Sequence, residues 1–342
     1  MKVQTKVGFR GRKRMSKSRH ILAGIDVGGT SVEVLIVDAK NQILGQAKGP
    51  TRRSKRPSAM VNDIIALLED AAGEAGLKGR QLSAVSIGVP GPIDRHRGVV
   101  REAPNLGWLD YPLGPEMERR LRVPVIVEND VNVGTVGEHV LGAGANASDL
   151  VGIFVGTGIG GGIIANGRLY EGSRGGAGEV GHTVILVDGP RCGCGKRGCA
   201  EALASRTAIE RDVRAAIKAG RKSVVPQLMK RKRKLRMTSS IIDAALKRKD
   251  PVMREVMRNA ERYLGILVAN LVNLLDPECV VIGGGLAGRL GEVFVGPIRQ
   301  TAFQYFLRGK DVQRIRVVPG QLGDNAGALG AVVLARQRLA LT

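Results

Sequence analysis

The sequence predicts an α/β protein of two domains, each containing a hairpin with a glycine-rich turn. The first hairpin carries D-x-G-G-T from Asp26 to Thr30, and the second carries F-V-G-T-G-I-G-G-G from Phe154 to Gly162. Apolar strands flank both turns, and segments with helical periodicity follow them along the chain. A chain of 342 residues with 43% hydrophobic content is long enough to bury two cores of this kind.

The basic residues are concentrated in two segments. The formal net charge is +22, yet residues 1–20 alone hold eight Lys or Arg and residues 213–242 hold ten, and neither segment has an acid. Because residues 1–20 also lack an apolar core, they are not a secretory signal, and we predict a disordered basic arm. No apolar run approaches the ~20 residues of a membrane-spanning helix. These features predict a cytoplasmic protein with reduced thiols.

The N-terminal part predicts a β-meander followed by alternating helices and strands. The predicted elements are strands Ile21–Asp26, Val32–Val37 and Ile43–Ala47, helix Pro57–Gly73, strands Leu82–Val89 and Val123–Val127, and helix Val131–Leu141. Gly91 follows one strand end inside Pro90-Gly91-Pro92, which is suited either to line a small-molecule pocket or to form a plain proline-bounded loop. Asn105, in A-P-N-L-G-W, can both donate and accept hydrogen bonds, as recognition of a hydroxyl requires.

The two glycine-rich turns are predicted to approach phosphate groups, since glycine has no Cβ to keep a phosphate away from backbone N–H donors. These residues are Gly28, Gly29 and Thr30 in the first turn and Thr157 and Gly158 in the second. Asp26, at the end of the first strand, is suited to hold Mg²⁺ through water. Taken alone, either turn fits a plain hairpin equally well, and the chain has no G-x-x-x-x-G-K-[ST] loop.

The C-terminal part predicts helices around one buried strand. The predicted helices are Thr207–Ala219, Ser239–Arg248, a long core helix that begins at Asp250-Pro251 and ends at Asp276-Pro277, and a last helix that begins at Asp324. The buried strand Val280–Ile282 opens into Gly283, Gly284 and Gly285. We interpret the fourth cysteine of the chain, Cys279, as a packing residue.

Three cysteines and one histidine form a candidate metal site. Cys192, Cys194 and Cys199 are separated by glycines, and His182 lies ten residues upstream of the first cysteine. A strand over Val184–Val187 would lead away from the histidine, and a turn after it would bring the cysteines back to the imidazole. Three sulfurs and one imidazole suit tetrahedral Zn²⁺. A disulfide or free buried thiols are the alternatives.

Acidic and amide side chains accompany this site and a second strand end. Glu179 stands three residues before His182, and Glu201 stands two after Cys199. Metal binding would hold both carboxylates beside the imidazole, where they suit sugar hydroxyls; two exposed glutamates near a structural metal are the alternative. Asn129 and Asp130 follow an apolar strand, where α/β folds place ligand sites. Capping of the next helix is the alternative role for Asp130.

These motifs carry a resemblance to a known family. The two glycine-rich hairpins resemble those of the actin-like ATPase and sugar kinase fold. The pattern G-E-x-G-H followed by C-G-C-G-x-x-G-C-x-E resembles the signature of the ROK family (repressors, open reading frames and sugar kinases), and every fixed position of it is present. The motifs P-N-x-x-W and E-N-D add to the match. The resemblance extends from about Ile21 to the C-terminal helix.

The resemblance implies an α/β, two-domain, actin-like ATPase (ribonuclease H-like) sugar kinase fold with a structural zinc site. It implies an N-terminal domain over residues 21–139, a C-terminal domain over 140–323, and a helix over 324–340 that packs back on the first domain. The implied reaction is ATP-dependent phosphorylation of a hexose 6-hydroxyl, with glucose as the first choice, and Mg²⁺ on the phosphates.

The resemblance also implies residue roles. Asp130 is the general base, and the glycines at 283–285 correspond to the adenosine-binding turn. The residues implied to fix the sugar are Gly91, Asn105, Asn129, Glu179, His182 and Glu201. The zinc ligands are His182, Cys192, Cys194 and Cys199, and the implied assembly is a homodimer or homotetramer.

Other functions stay open at this point. Another hexose or an N-acetylhexosamine would use the same hydroxyl-binding motifs. The six cations within residues 230–236 suit either a solvated surface or docking of polyphosphate as a phosphoryl donor; without interleaved aromatics they do not predict specific binding of nucleic acid. The family also contains sugar-responsive repressors, but about twenty residues before the first strand are too few for their helix-turn-helix domain.

Overall fold

The computed structural model of the chain describes residues 20–52, 57–77, 81–307 and 314–341. The predicted basic arm therefore lies outside the described residues, apart from His20. None of the described helices is long and apolar enough to cross a membrane.

Thirteen strands of the described residues form two five-stranded sheets and one small three-stranded sheet. They are β1 (Leu22–Val27), β2 (Ser31–Val37), β3 (Ile43–Pro50), β4 (Ala84–Val89), β5 (Ile93–Asp94), β6 (Val99–Ala103), β7 (Trp108–Tyr111), β8 (Val125–Asn129), β9 (Leu150–Val155), β10 (Ile159–Ala165), β11 (Arg168–Leu169), β12 (Cys279–Gly283) and β13 (Arg316–Pro319). The sheet orders are β3-β2-β1-β4-β8, β11-β10-β9-β12-β13 and β5-β6-β7.

Eleven α-helices of the described residues cover these sheets. They are α1 (Pro57–Glu74), α2 (Leu113–Leu121), α3 (Asp130–Leu141), α4 (Ala200–Ala204), α5 (Arg206–Lys218), α6 (Val225–Arg231), α7 (Ser239–Lys247), α8 (Pro251–Leu275), α9 (Gly284–Leu290), α10 (Glu292–Tyr305) and α11 (Ala326–Leu339). The predicted cap of the long helix is confirmed, because Asp250 accepts a hydrogen bond from Met253 N at 2.8 Å.

The two large sheets share one topology. In the first, β1 pairs antiparallel with β2 and parallel with β4. In the second, β9 pairs antiparallel with β10 and parallel with β12. The turns at residues 28–30 and 156–158 therefore occupy equivalent positions, each at the head of a β-hairpin. This repetition confirms the predicted α/β class with paired glycine-rich hairpins.

Helices α3 and α11 pack against each other between the two sheets. Gly330 in α11 lies so close to α3 that a Cβ atom on it would stand 1.7 Å from Val133 O, and α11 approaches β1 at Gly24, where a Cβ would stand 2.0 Å from Ala328 O. The predicted boundary between residues 139 and 140 falls inside α3, which ends at Leu141. We retain the division into domains near residue 140 as a proposal.

One predicted strand is wrong. Residues 184–187 do not form a strand; only Val184 makes an isolated bridge, to Cys199. The chain turns here because Gly198 packs directly on the backbone of Leu186, and the N–H groups of both Ile185 and Leu186 donate to Gly198 O. Val187 is left 80% exposed, which an amphipathic strand covering a core would not allow.

Candidate active site

The carboxyl end of β8 meets the first turn of α3 in the E-N-D motif. Asn129 is the N-cap of α3, since its Oδ1 accepts from Val131 N at 2.9 Å and from Asn132 N at 3.1 Å. Asp130 is the first residue of the helix, so the alternative prediction that Asp130 caps α3 is wrong, and the cap is the residue before it. The Asp130 side chain points back on its own helix, where Oδ1 accepts from Val131 N at 2.9 Å.

Sequence analysis assigned no role to the first residue of that motif, Glu128. Its side chain is fully buried, and Oε2 accepts from Arg95 Nε and from Arg338 Nη2, each at 2.6 Å. Oε1 accepts from Asn129 N at 2.9 Å and Asn132 Nδ2 at 3.1 Å. Burial alone would raise the pKa of Glu128, but the hydrogen bond from Arg95 and the two guanidinium charges outweigh it and hold the pKa below its usual value.

The Glu128 ion pairs connect the two walls of a cleft. Arg95 also donates to Gly175 O at 3.3 Å, and Arg338 also pairs with Glu171 at 2.6 Å. Residues 171 and 175 belong to the loop after β11, whereas β8 and α11 belong to the other side. Because a buried carboxylate is stable only when it is paired, this network determines where the end of β8 lies relative to that loop.

A cavity lies between these walls, and several predicted sugar-binding residues line it. Gly91, Asn129 and Glu179 are among its lining residues, together with the backbone of residues 160–161 and 175–178. Asn129 Nδ2 donates to Gly91 O at 3.2 Å. Gly91 has φ 97° and would place a Cβ 2.0 Å from Glu102 O, so only glycine fits there.

The remaining predicted sugar residues are not among those that line this cavity. Asn105 is exposed in the turn between β6 and β7. His182 is the last residue of a short 3₁₀ helix over residues 180–182, and its backbone N–H donates to Glu179 O at 3.1 Å. Glu201 Oε2 accepts from Ile159 N at 3.1 Å, so this carboxylate faces the second glycine-rich turn.

Two aspartates of the cleft have raised pKa values. Burial raises the pKa of Asp130 to about 6, against the hydrogen bond from Val131 N–H, and the charge of Glu179 raises it further. Burial also raises the pKa of Asp26 to about 8, with a further contribution from the charge of Asp130. Asp130 is therefore close enough to interact electrostatically both with Glu179, which lines the cavity, and with Asp26, which directly precedes the first glycine-rich turn.

The first glycine-rich turn is stabilised by backbone and threonine contacts. Gly28 N donates to Ser31 O at 2.9 Å, and Thr51 Oγ1 donates to Gly28 O at 2.6 Å. Gly29 and Thr30 are exposed at the tip of the turn. No atom of the described residues lies within 4 Å of a Cβ built on Gly29, so its backbone is open to a ligand.

The second glycine-rich turn brings in a residue that the sequence analysis missed. Thr157 is exposed between Gly156 and Gly158, and Gly156 N donates to Gly158 O at 2.9 Å. Arg206, the first residue of α5, donates from Nη2 to Thr157 Oγ1 at 2.7 Å. No motif pointed to Arg206, because it lies 49 residues further along the chain.

The third glycine cluster stands where β12 ends. Gly283 is the last residue of β12, and Gly284 begins α9 with φ 82°. A Cβ on Gly283 would lie 2.7 Å from Phe154 Cε1, and one on Gly284 would lie 2.7 Å from Val155 N. The cluster therefore brings α9 against the end of β9, beside the second glycine-rich turn, and Gly285 continues the helix.

The four predicted metal ligands converge. Their ligand atoms lie within 4.8 Å of one another, with Cys194 Sγ 3.7 Å from Cys199 Sγ and Cys192 Sγ 3.7 Å from His182 Nδ1. Tetrahedral coordination with Zn–S bonds of about 2.3 Å and Zn–N bonds of about 2.0 Å separates ligands by roughly 3.5–3.8 Å. Two of the pairs already stand at this separation, so the four side chains fit Zn²⁺ with only small shifts of the others.

The electrostatics of the thiols agree with a cation at this point. Burial raises the pKa of Cys192 to about 12 and raises that of Cys199, whereas the N–H of Lys196 lowers the pKa of the exposed Cys194. Two of the thiols thus ionise readily only when a metal replaces their protons. Cys192 Sγ also lies 3.5 Å from Glu201 Oε1, which ties the metal cluster to the second glycine-rich turn.

Comparison with known proteins agrees with these features. The family model described as "ROK family" matches residues 22–338, which is nearly all of the chain. The chain belongs to the ROK family. Its members with similar sequences include the glucokinase of Halalkalibacterium halodurans, which is 34% identical over 92% of this chain and 94% of its own length.

Other ROK proteins extend the comparison to structure and to a second function. A ROK family glucokinase from Streptomyces griseus, solved in complex with glucose and AMPPNP, is 33% identical and superposes with a TM-score of 0.79 over 93% of this chain and 99% of its own. A putative xylose repressor from Caldicellulosiruptor sp. is 31% identical over 94% of this chain and 79% of its own length. The ROK sugar kinase fold of this chain is thereby confirmed.

Proposed function

We propose that this protein is an ATP-dependent hexose kinase that transfers a phosphoryl group to the 6-hydroxyl of glucose. One observation carries the proposal most directly. Asp130 stands between Asn129 and Val131, which both line the cavity, and its charge acts on Asp26, which directly precedes the first glycine-rich turn, so this carboxylate is placed to serve both a sugar in the cavity and a phosphate chain at the turn. The ROK glucokinases with similar sequence and structure support the same reading.

Asp130 acts as the general base in this proposal. With a pKa raised to about 6, its carboxylate is ionised at neutral pH and still basic enough to accept the proton of the attacking hydroxyl. Asn129, Glu179 and the backbone at Gly91 orient the sugar from the cavity. The predicted contacts of Asn105, His182 and Glu201 require that the cleft closes on the sugar, which also excludes water and suppresses ATP hydrolysis.

The phosphates lie between the two glycine-rich turns in this proposal. Gly28 to Thr30 approach from one side, Thr157 and Gly158 from the other, and the glycines at 283–285 adjoin the nucleoside. Asp26 fits an ion held through water, since its buried carboxylate otherwise faces the negative charges of Asp130 and Glu33. Mg²⁺ on the donor supplies positive charge for phosphoryl transfer, and Zn²⁺ holds the loop that carries Glu179 and Glu201.

A panel of sugars tests the function. The purified protein is assayed with MgATP by coupled ADP release against glucose, mannose, galactose, N-acetylglucosamine and N-acetylmannosamine. We expect the highest kcat/KM for glucose, with 6-phosphate as the product. Preference for an N-acetylhexosamine would contradict glucose as the substrate and still support the proposed kinase activity. Tight sugar binding without turnover of any member would refute the kinase and favour a sugar-sensing protein.

Polyphosphate is a second candidate donor, and the charge of residues 230–236 favours it. Within the described residues, no carboxylate lies within 4 Å of the five cations at 230–234, although Arg236 pairs with Glu210 at 3.1 Å. Lys230, Arg231 and Lys234 are exposed. Arg236 also lies close enough to Arg206 to lower its pKa, so positive charge continues from this segment to the second glycine-rich turn.

The donor test compares two charge-matched triple variants. In one variant, Lys230, Arg231 and Lys234 are changed to Gln. In the control, Lys40, Arg97 and Arg119, which are exposed and lie in the N-terminal part of the chain, are changed to Gln. We expect the first variant alone to lose activity with polyphosphate, most strongly at low salt, while activity with ATP is retained in both. Inactivity of the unchanged protein with polyphosphate would remove this donor.

We also propose a homo-oligomer, either a dimer or a tetramer. Exposed apolar side chains cluster where α8 and α10 end, with Leu274 78% and Leu307 82% exposed. Asn273 joins the two ends, because its Nδ2 donates to Tyr305 O and its Oδ1 accepts from Leu307 N. A patch of this kind is typical of a subunit interface. Light scattering should report a multiple of the 36.3 kDa chain mass, and Leu274→Glu should reduce it.

A further inference from the structure

The second glycine-rich turn is bound to the N-terminal end of α5 at three points. Arg206 N donates to Gly156 O at 3.0 Å, Thr207 Oγ1 donates to Thr157 O at 2.7 Å, and Arg206 Nη2 donates to Thr157 Oγ1 at 2.7 Å. The first two contacts suffice to hold the backbone of the turn. The third brings a guanidinium to the tip of the turn, where a donor phosphate is expected.

The guanidinium of Arg206 has no carboxylate partner among the described residues, in contrast to the other arginines of α5. Arg211 pairs with Asp212 at 2.7 Å, and Arg214 pairs with Glu210 at 2.8 Å. Burial lowers the pKa of Arg206, the charge of Glu210 opposes this, and Arg236 lowers it further. Arginine nevertheless remains charged. A partly buried charge that lacks a direct ion pair is stabilised by an anion that enters beside it.

The hydrogen-bonding chemistry at Thr157 also favours an anion. A threonine hydroxyl offers one donor and two acceptor lone pairs. Because Thr157 Oγ1 accepts from Arg206, its own O–H is directed elsewhere, and the side chain is exposed at the tip of the turn. Among the described residues, Arg206 uses only one side-chain N–H in a hydrogen bond. A phosphate beside the turn would take both groups at once, in the forked geometry that arginine provides.

We propose that Arg206 binds the terminal phosphates of the phosphoryl donor, together with the hydroxyl of Thr157. This inference deepens the proposed function and rests on it in so far as the donor carries a phosphate chain. Arg206 would neutralise charge on the phosphates opposite the first glycine-rich turn, where positioning and electrostatics supply most of the catalysis of phosphoryl transfer.

A purely structural role for Arg206 makes a different prediction. If Arg206 only held the turn, its loss would weaken every ligand of the nucleotide site alike. If Arg206 binds terminal phosphates, its loss weakens the binding of ATP and ADP more than the binding of AMP, which lacks those phosphates. The affinities for AMP, ADP and ATP therefore separate the two roles, and they can be measured without sugar and without turnover.

The experiment measures binding of AMP, ADP and ATP with Mg²⁺ by titration calorimetry to the unchanged protein and three variants. Arg206→Gln removes the charge and keeps a donor for Thr157, Arg206→Lys keeps the charge without the fork, and Arg211→Gln is the control on the same helix. We expect Arg206→Gln to lower the affinity for ATP and ADP about tenfold, the usual scale for a charged hydrogen bond, and the affinity for AMP less than twofold. Arg206→Lys should recover part of the loss, and Arg211→Gln should change nothing.

Two results would overturn the assignment. One is equal weakening of all three nucleotides by Arg206→Gln, and the other is failure of the unchanged protein to bind ATP more tightly than AMP. The test is independent of the sugar assay. A protein that phosphorylates no sugar but shows this dependence on phosphate number would refute the proposed reaction and leave the role of Arg206 intact.

Discussion

Asp130 combines a strand end, a helix start and a partly desolvated carboxylate in one residue. Its Oδ1 accepts from Val131 N, which orients the side chain, while burial keeps the carboxylate more basic than an exposed aspartate. The buried Glu128 beside it remains ionised because two arginines face it. The pKa values of the two neighbouring acids thus shift in opposite directions, and of the two only Asp130 has the raised pKa that suits the proposed general base.

Asp130→Asn tests the base directly. The amide has nearly the same shape as the carboxylate and leaves Asn129 as the cap of α3, so the fold should persist. Because the substitution removes a poorly solvated charge, the stability of the protein at neutral pH should be retained. We expect kcat to fall by at least ~10²-fold, the scale of general base catalysis, with a much smaller change in glucose affinity. Calorimetric glucose binding and steady-state rates measure the two effects; near-normal turnover would rule out Asp130 as the base.

The raised pKa of Asp130 predicts a pH profile. The carboxylate accepts a proton only in its ionised form, which dominates above the pKa of about 6. Activity should therefore be present at neutral pH and fall as pH decreases through about 6, approaching a tenfold loss per pH unit in kcat/KM. Circular dichroism over the same range controls for unfolding. A flat profile between pH 5 and 8 would contradict the assignment.

At the scale of elements, the loop over residues 179–201 depends on one metal cluster for its shape. Residues 184–187 form no strand, and the loop is joined by isolated bridges between Val184 and Cys199 and between Arg191 and Arg197. With so little regular secondary structure, the position of Glu179 and Glu201 depends on the ligands between them. In the proposed function, the zinc ligands thereby couple a structural metal to the sugar site.

Cys194→Ser is the prediction that belongs to this loop. Cys194 is exposed, so the substitution changes coordination with little effect on packing. Elemental analysis should show about one Zn²⁺ per chain in the unchanged protein and a loss in the variant, with a KM for glucose at least several-fold higher. Cys279→Ala, at a buried cysteine of β12, is the control and should retain zinc. Carefully purified protein without zinc would end this assignment.

At the scale of the whole molecule, the crossing of α3 and α11 holds the two sheets together. The helices approach closely because small residues face each other, and Gly137 also stands where a Cβ would lie 2.4 Å from Ala326 O. Arg338, from the end of α11, completes the Glu128 ion pair. The crossing therefore supports both the fold and the junction of β8 and α3, where Asp130 lies.

Gly330→Ala should destabilise the protein measurably. The added methyl group would meet Val133 O, a backbone atom that cannot move without shifting α3, and such overpacking costs about 1–3 kcal/mol. A decrease of several degrees in Tm is expected. Gly73→Ala, in α1, is the control, because no atom of the described residues outside the adjacent chain and the helix's own backbone lies within 4 Å of the new Cβ. This change should stabilise by about 0.5–1 kcal/mol. Equal Tm values for the two variants would contradict the tight crossing.

The sequence by itself determined the features that depend on local spacing. The glycine-rich hairpins, the metal ligands and the E-N-D motif are each written in fewer than about twenty consecutive residues, so residue type and spacing sufficed to predict them. The local pattern was wrong at residues 184–187, since an apolar run predicts a strand whether or not a neighbouring strand exists to pair with it.

Only the tertiary structure decided the features that depend on distant residues meeting. Glu128 stays ionised because Arg95 and Arg338 contact it, although they lie 33 and 210 residues away along the chain. Arg206 likewise contacts Thr157 across a separation of 49 residues. The basicity of Asp130 follows from the desolvation of its carboxyl group in the folded chain and from the charge of Glu179. Desolvation and charge–charge interactions depend on distance in space, which the order of residues along the chain does not specify.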